Sequence, residues 1–152
     1  LMITMYLGTI EVSQGVAINR KIAITARALS DLVSQTTSIT TTELANVMAA
    51  ASAVMTPYPT GTLAAKVSTI DIDANGVAKI GWSYALNTSP RAKGSTVTVP
   101  TALKVPNTEL IWSEVSYVYT PTIGYVITGS LTLNDQNYVR PRQSATVPCS
   151  NC

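Results

Sequence analysis

The stretch that most constrains this chain is its first 35 residues, which carry no proline and change character halfway along. Leu1, Met2, Ile3, Met5, Tyr6, Leu7, Ile10, Val12 and Val16 make the first half apolar on nearly every side of a helix. A helix apolar all round belongs in a core or a bilayer. Further along, Ile18, Ile22, Ala26, Leu29 and Val33 recur at three- and four-residue steps, the spacing of one buried helical face. Arg20, Arg27 and Asp31 fall on another face, and Arg27 is expected to pair with Asp31 one turn later. The pattern predicts one helix over residues 1–35 that changes solvent along its length. Residues 1–18 rise roughly 27 Å as helix and include Glu11, Ser13 and Gln14. A full span takes about 20 apolar residues. The expectation is therefore the outer half of a membrane helix whose beginning lies upstream.

The rest, residues 36–152, reads as one globular domain. A total of 152 residues allows a single sizeable core. Only 12% of residues are charged, few for a surface meant to stay dispersed. The wealth of Thr, Val, Ile and Tyr favours strands. A net charge of +2, scattered along the chain, argues against a nucleic-acid partner. Histidine is absent, which removes the commonest general base and metal ligand.

Thr40 followed by Glu43 fits a capping box that opens a second, short helix. Leu44, Val47, Met48, Ala51, Val54 and Met55 form its stripe, and Pro57 and Pro59 end it. Strand patterns follow in "TLAAKVSTIDID" and "VAKIGWSYAL" on either side of "ANG", a hairpin signal. In the second of these, Ile80, Trp82, Tyr84 and Leu86 are expected on one face. "STVTV" suits a short strand. "TELIWSEVSYVYT" places Ile111, Val115, Tyr117 and Tyr119 on one face, "TPTIGYVITG" reads as a connection, and "SLTLNDQNYVRPR" reads as a last strand. The fold class is α+β: a long N-terminal helix and a short helix packed on an antiparallel sheet of about four strands.

Motifs that carry chemistry fail their own requirements. "DIDANG" (Asp71, Asp73, Asn75, Gly76) matches the first half of a calcium loop, but the twelfth position holds Trp82 instead of a bidentate Glu. Cys149 and Cys152 have C-x-x-C spacing without a second ligand pair for zinc. A terminal disulfide in an oxidising compartment fits them, and free thiols or an intermolecular bridge are the alternatives. No base-and-orienter set accompanies the many Ser and Thr residues, and no G-x-S-x-G occurs. Neither an enzyme nor a cofactor is expected. Gly8 and Gly15, seven residues apart, share a helix face where small residues let a second helix approach. Glu11 has two readings: a carboxylate paired inside an apolar helix, or one wetted at the headgroup level.

The order of these features resembles the TadE/TadG-like proteins of tight-adherence (Flp-type) pili. The similarity is carried by "YLGTIEVSQGVAINRKIAITARALSDLVSQ", "AVMTPYP", "IDANGVAKIGWS", "LIWSEVSYVYTPTIGY" and "YVRPR", and covers nearly the whole chain. It implies a pilin-like, non-enzymatic subunit held in the bacterial inner membrane by its N-terminal helix. The globular part would be periplasmic, and the subunit would support pilus biogenesis and adhesion or enter the extracellular filament. The implied partners are copies of itself or other pilins, with the inner membrane before assembly. Leu1, Met5, Gly8, Glu11, Val12, Gly15 and Ile18 are the expected packing residues in assembly, and Ile22, Ala26, Leu29 and Val33 are expected to pack the helix on the sheet. The family's cleavage site and the glutamate just after it should lie upstream, so no processing residue is carried over and Glu11 is not given that glutamate's role. The competing reading is a membrane-tethered binding or adhesin module whose ligand surface is Trp82, Trp112, Tyr117, Tyr119 and Tyr125, since exposed aromatics typify recognition patches.

Overall fold

A computed structural model describes residues 1–121 and 129–152. The expected long helix is α1, Met2–Ser34, which at its 33 residues runs roughly 50 Å. Its last turn is closed by hydroxyls: Ser34 Oγ donates to the Asp31 carbonyl at 2.7 Å and Thr36 Oγ1 to the Val33 carbonyl at 2.7 Å. The same carbonyls also accept backbone N–H groups, Asp31 from Gln35 at 3.1 Å and Val33 from Thr36 at 3.2 Å. The second helix, α2, spans Thr41–Ala53 and begins with the predicted capping box. The Thr40 N–H donates to Glu43 Oε2 at 2.7 Å, and the Glu43 N–H donates to Thr40 Oγ1 at 3.3 Å.

Four strands follow: β1 Leu63–Ile72, β2 Ala78–Leu86, β3 Thr108–Tyr119 and β4 Leu131–Val139. They form one sheet in the order β2-β1-β3-β4, antiparallel at every pairing. The fold is thus α+β, a long and a short helix with a four-stranded antiparallel sheet. The β1–β2 turn is built by Asp73, whose Oδ1 accepts from the N–H groups of Asn75 and Val77, both at 2.9 Å. Gly76 takes the positive φ, +79°, that this turn needs. The carboxylate singled out by the calcium-loop pattern therefore serves its own backbone.

One sheet face carries Leu63, Ala65 and Val67 of β1 and Ile111, Val115, Tyr117 and Tyr119 of β3 into the main core. There they meet Ile18, Ile22, Ala26, Leu29 and Val33 of α1 and Leu44, Met48 and Ala51 of α2. Ser113 sits within this apolar face at 0% exposure, because its hydroxyl donates to the Ala26 carbonyl at 2.6 Å. A buried hydroxyl without such a partner would be costly. The opposite face holds a smaller core of Ile70, Ile72, Ala78, Ile80, Val99, Leu110 and Trp112. The chain between β2 and β3 helps build it through Val97, Val99 and Leu103.

The expectation that Ile80, Trp82, Tyr84 and Leu86 share a face is corrected by a β-bulge. Ser68 pairs with Ser83 but Ile70 with Ile80, so Gly81 and Trp82 together oppose Thr69. Strand side chains alternate with period two, so one inserted residue turns those that follow to the other face. Ile80 enters the small core, while Trp82, Tyr84 and Leu86 reach the main one. Thr69 Oγ1 fixes the bulge by accepting the Trp82 N–H at 3.1 Å. A Cβ on Gly81 would lie 2.6 Å from Thr69 Oγ1 and 2.7 Å from Asp71 Oδ2. Gly81→Ala is therefore expected to destabilise by about 1–3 kcal/mol, the usual cost of overpacking, as read by chemical denaturation.

"STVTV" does not form a strand. Residues 95–99 run beside β2 with a single bridge, Lys79 to Thr96, and with hydrogen bonds from the Ile80 N–H to the Ser95 carbonyl and from the Val97 N–H to the Ala78 carbonyl. Asp31 also departs from expectation. It pairs with Arg142 at 2.7 Å and accepts from Gln35 Nε2 at 2.8 Å, where the helix pattern pointed to Arg27. The segment after β4 returns to the end of α1, where the Arg142 N–H donates to the Ser34 carbonyl. The connection expected in "TPTIGYVITG" lies largely outside the described residues, as does Tyr125.

Candidate assembly surface

The two halves of α1 bury opposite amounts of the same kind of side chain. Ile22, Ala26, Leu29 and Val33 are all at most 1% exposed, as the amphipathic spacing predicts. In the N-terminal half, Leu1, Met2, Ile3, Met5, Tyr6, Val12 and Val16 are each more than half exposed. Met2, Met5, Thr9, Val12 and Val16 follow one another at steps of three, four, three and four, a seam on the side away from the sheet. Thr9 fits this seam because its hydroxyl donates back to the Met5 carbonyl at 2.8 Å. Scattered apolar residues on a surface are ordinary, but a continuous stripe is not.

The seven residues expected in assembly divide between the two sides of this helix. Leu1, Met5 and Val12 are exposed, whereas Gly8, Glu11 and Ile18 are buried within the chain itself. Gly15 is half-buried with open space where a Cβ would stand. The small-residue face of Gly8 and Gly15 is thus closed at its Gly8 end. Glu11 is 1% exposed, so the solvated reading of this carboxylate does not hold. It lies near the end of β3, where burial first and the Glu11 charge next push the Tyr119 phenol above its usual pKa. Tyr119 in turn donates to Gln14 Oε1 at 2.8 Å, tying β3 to this half of the helix. No helix among the described residues is long and apolar enough to cross a membrane.

Four of the five aromatics that motivated a ligand surface are described, and they belong to the core. Trp82, Trp112, Tyr117 and Tyr119 are all at most 7% exposed. Trp82 Nε1 donates to the Val147 carbonyl at 2.7 Å, and the Tyr117 hydroxyl donates to the Pro59 carbonyl at 2.7 Å. Trp112 stacks on Tyr138 with ring centroids 5.6 Å apart. The Arg91 guanidinium lies 4.1 Å from the Trp112 ring centroid while pairing with Glu114 at 2.6 Å.

The terminal disulfide that the spacing of Cys149 and Cys152 fits is present. One feature at the C-terminal segment escaped the sequence pattern. It is a carboxyl pair: Asp71 and Glu109 stand opposite each other on β1 and β3. Glu109 is 8% exposed and accepts the Val147 N–H at 2.8 Å. Burial first, and then the hydrogen bond with Asp71, raise its pKa from 4.5 to about 8, against the lowering effect of Val147. An unfolded glutamate releases its proton near 4.5 while the folded one keeps it to about 8. The stability tied to this proton is thus complete below 4.5 and is lost as pH rises through about 8. Glu109→Gln, which stays neutral, is expected to flatten the fall in melting temperature between pH 5 and 9. At pH 9 the variant should melt above the parent. Equal slopes for the two proteins in thermal melts would contradict a proton held on Glu109 up to about pH 8.

Among the described residues, no group of three or more Asp, Glu and Cys side chains is placed to hold a metal ion. No protein-family model, curated protein or solved structure matches the chain.

Proposed function

We propose that this protein is a non-enzymatic, pilin-like subunit of a tight-adherence pilus system, assembled through the N-terminal half of α1. On this reading the chain is held at the bacterial inner membrane, projects its α+β domain into the periplasm, and supports pilus biogenesis and adhesion. Its partners are copies of itself or other pilins. The observation that carries the reading is the exposed apolar seam of Met2, Met5, Val12 and Val16 on a helix that further along buries Ile22, Ala26, Leu29 and Val33 in the main core. Seams of three- and four-residue steps are what a second helix packs against. The burial of Gly8, Glu11 and Ile18 narrows the contact to the outward side of the helix.

Sedimentation velocity tests the reading. The intact chain is expected to self-associate, and the double variant Met5→Glu with Val12→Glu is expected to sediment as a monomer. A monomeric intact chain, or a double variant that associates as well as the parent, would count against the proposal.

A further inference from the structure

The C-terminal segment does more than end the chain. Val147 is 0% exposed and is gripped through both backbone groups, its N–H by Glu109 and its carbonyl by the Trp82 indole. Two residues on, Cys149 forms a parallel bridge with Ile39 in the α1–α2 linker. The Ile39 N–H donates to the Pro148 carbonyl at 3.0 Å, and the Ser150 N–H donates to the Ile39 carbonyl at 3.3 Å. Asn151 then reaches α2: its Oδ1 accepts the Thr41 N–H and its Nδ2 donates to Thr41 Oγ1, both at 2.9 Å. Thr41 is the first residue of α2, and its N–H is one of the donors that a helix start leaves open. The capping box serves the Thr40 and Glu43 N–H groups, and Asn151 adds the Thr41 N–H.

We infer that the Cys149–Cys152 disulfide is a redox latch that holds this strap docked across the α1–α2 linker and the start of α2, and that its reduction by a dithiol undocks it. The ring formed by residues 149–152 contains Asn151, so it restricts the backbone that must turn the Asn151 side chain back to Thr41. A loop this short removes little entropy from the unfolded chain, so the bond acts locally and does little for the global fold. Cys149 is half-buried against the core, while Cys152 is exposed and open to attack. A thiolate of the dithiol attacks Cys152 Sγ and breaks the sulfur–sulfur bond, giving a mixed disulfide and the Cys149 thiolate. The second thiol of the reductant then displaces Cys152. The dithiol leaves as a disulfide, having supplied two electrons, and each cysteine ends as a thiol with one proton. An oxidising compartment keeps the latch closed and a reducing one opens it. This inference stands whether or not the chain assembles as a pilin.

Amide hydrogen exchange followed by NMR, on the intact chain with and without an excess of dithiothreitol, tests it. Reduction is expected to speed exchange at Ile39, Thr41 and Ser150 by at least about fivefold, the scale of a lost helix cap, while Val67 and Ser113 in the central strands keep their rates. Unchanged exchange at Ile39 and Thr41 after full reduction would overturn the latch, and so would an equal loss of protection throughout the chain. Asn151→Ala with the disulfide intact is expected to speed Thr41 alone. Unaltered exchange at Thr41 in that variant would remove Asn151 from the account.

Discussion

Replacing Trp82 by alanine is expected to lower the unfolding free energy by about 3–5 kcal/mol, the range for truncating a buried large aromatic. The indole is 6% exposed and lies in the main core, on the helix-covered face to which the bulge at Gly81 and Trp82 delivers it. Its Nε1 also supplies the hydrogen bond to the Val147 carbonyl. The alanine variant therefore loses packing, leaves a cavity and strands a buried acceptor. Trp82→Phe separates these effects, since it keeps most of the apolar volume and loses the donor. A cost of about 1–3 kcal/mol is expected for it, the penalty for one unsatisfied buried group. Urea titration followed by circular dichroism measures both. With a whole domain stable by roughly 5–15 kcal/mol, the alanine loss is a large fraction of the total. A tryptophan on a ligand surface would behave differently, with truncation leaving the denaturation midpoint nearly unmoved. That outcome would restore the binding-module reading.

The same residue shows where the sequence was readable and where it was not. Helix α1, its buried face and the capping box of α2 depend on residues close together in the chain. Local spacing was therefore enough to place Ile22, Ala26, Leu29, Val33, Thr40 and Glu43. The four strands were legible for the same reason, through alternation and the Asn75–Gly76 turn. The face of Ile80 was not, because the bulge is set by Thr69 Oγ1 on a different strand, bonding the Trp82 N–H. Asp31 chose Arg142, a residue 111 positions away, over a neighbour one turn along its own helix. The Asp71–Glu109 pair and the hold of Glu109 and Trp82 on Val147 likewise depend on sheet register and on the return of the C-terminal segment. Alternating patterns do not encode either of these. At the candidate surface, composition identified an apolar helix half, but only packing divided it into an outward seam and an inward row of Gly8, Glu11 and Ile18.

That division yields the second large effect. Met5→Glu combined with Val12→Glu places two charges on the outward seam and touches no residue of the core. The change in monomer stability is expected to stay within about 0.5 kcal/mol, as for surface substitutions generally. Association is expected to weaken by at least about a hundredfold. Each large apolar side chain withdrawn from a helix–helix contact removes about 1.5–3 kcal/mol, and every 1.4 kcal/mol is a factor of ten. Ile18→Ala supplies the opposite control. Ile18 is fully buried, so its truncation is expected to cost about 2–5 kcal/mol of stability. The alanine protein that remains folded should associate as the parent does. Loss of association in the buried variant and its survival in the exposed one would invert the account.

The most direct measurement is photo-crosslinking in assembling cells, with a photoreactive amino acid placed at Val12 in one strain and at Leu32, on the C-terminal half of the same helix, in another. Leu32 is 36% exposed and lies beyond the apolar seam. The account predicts covalent dimers and higher ladders of this chain from position 12 and none from position 32. Crosslinks from position 12 that reach only lipid, or ladders of equal strength from both positions, would contradict it.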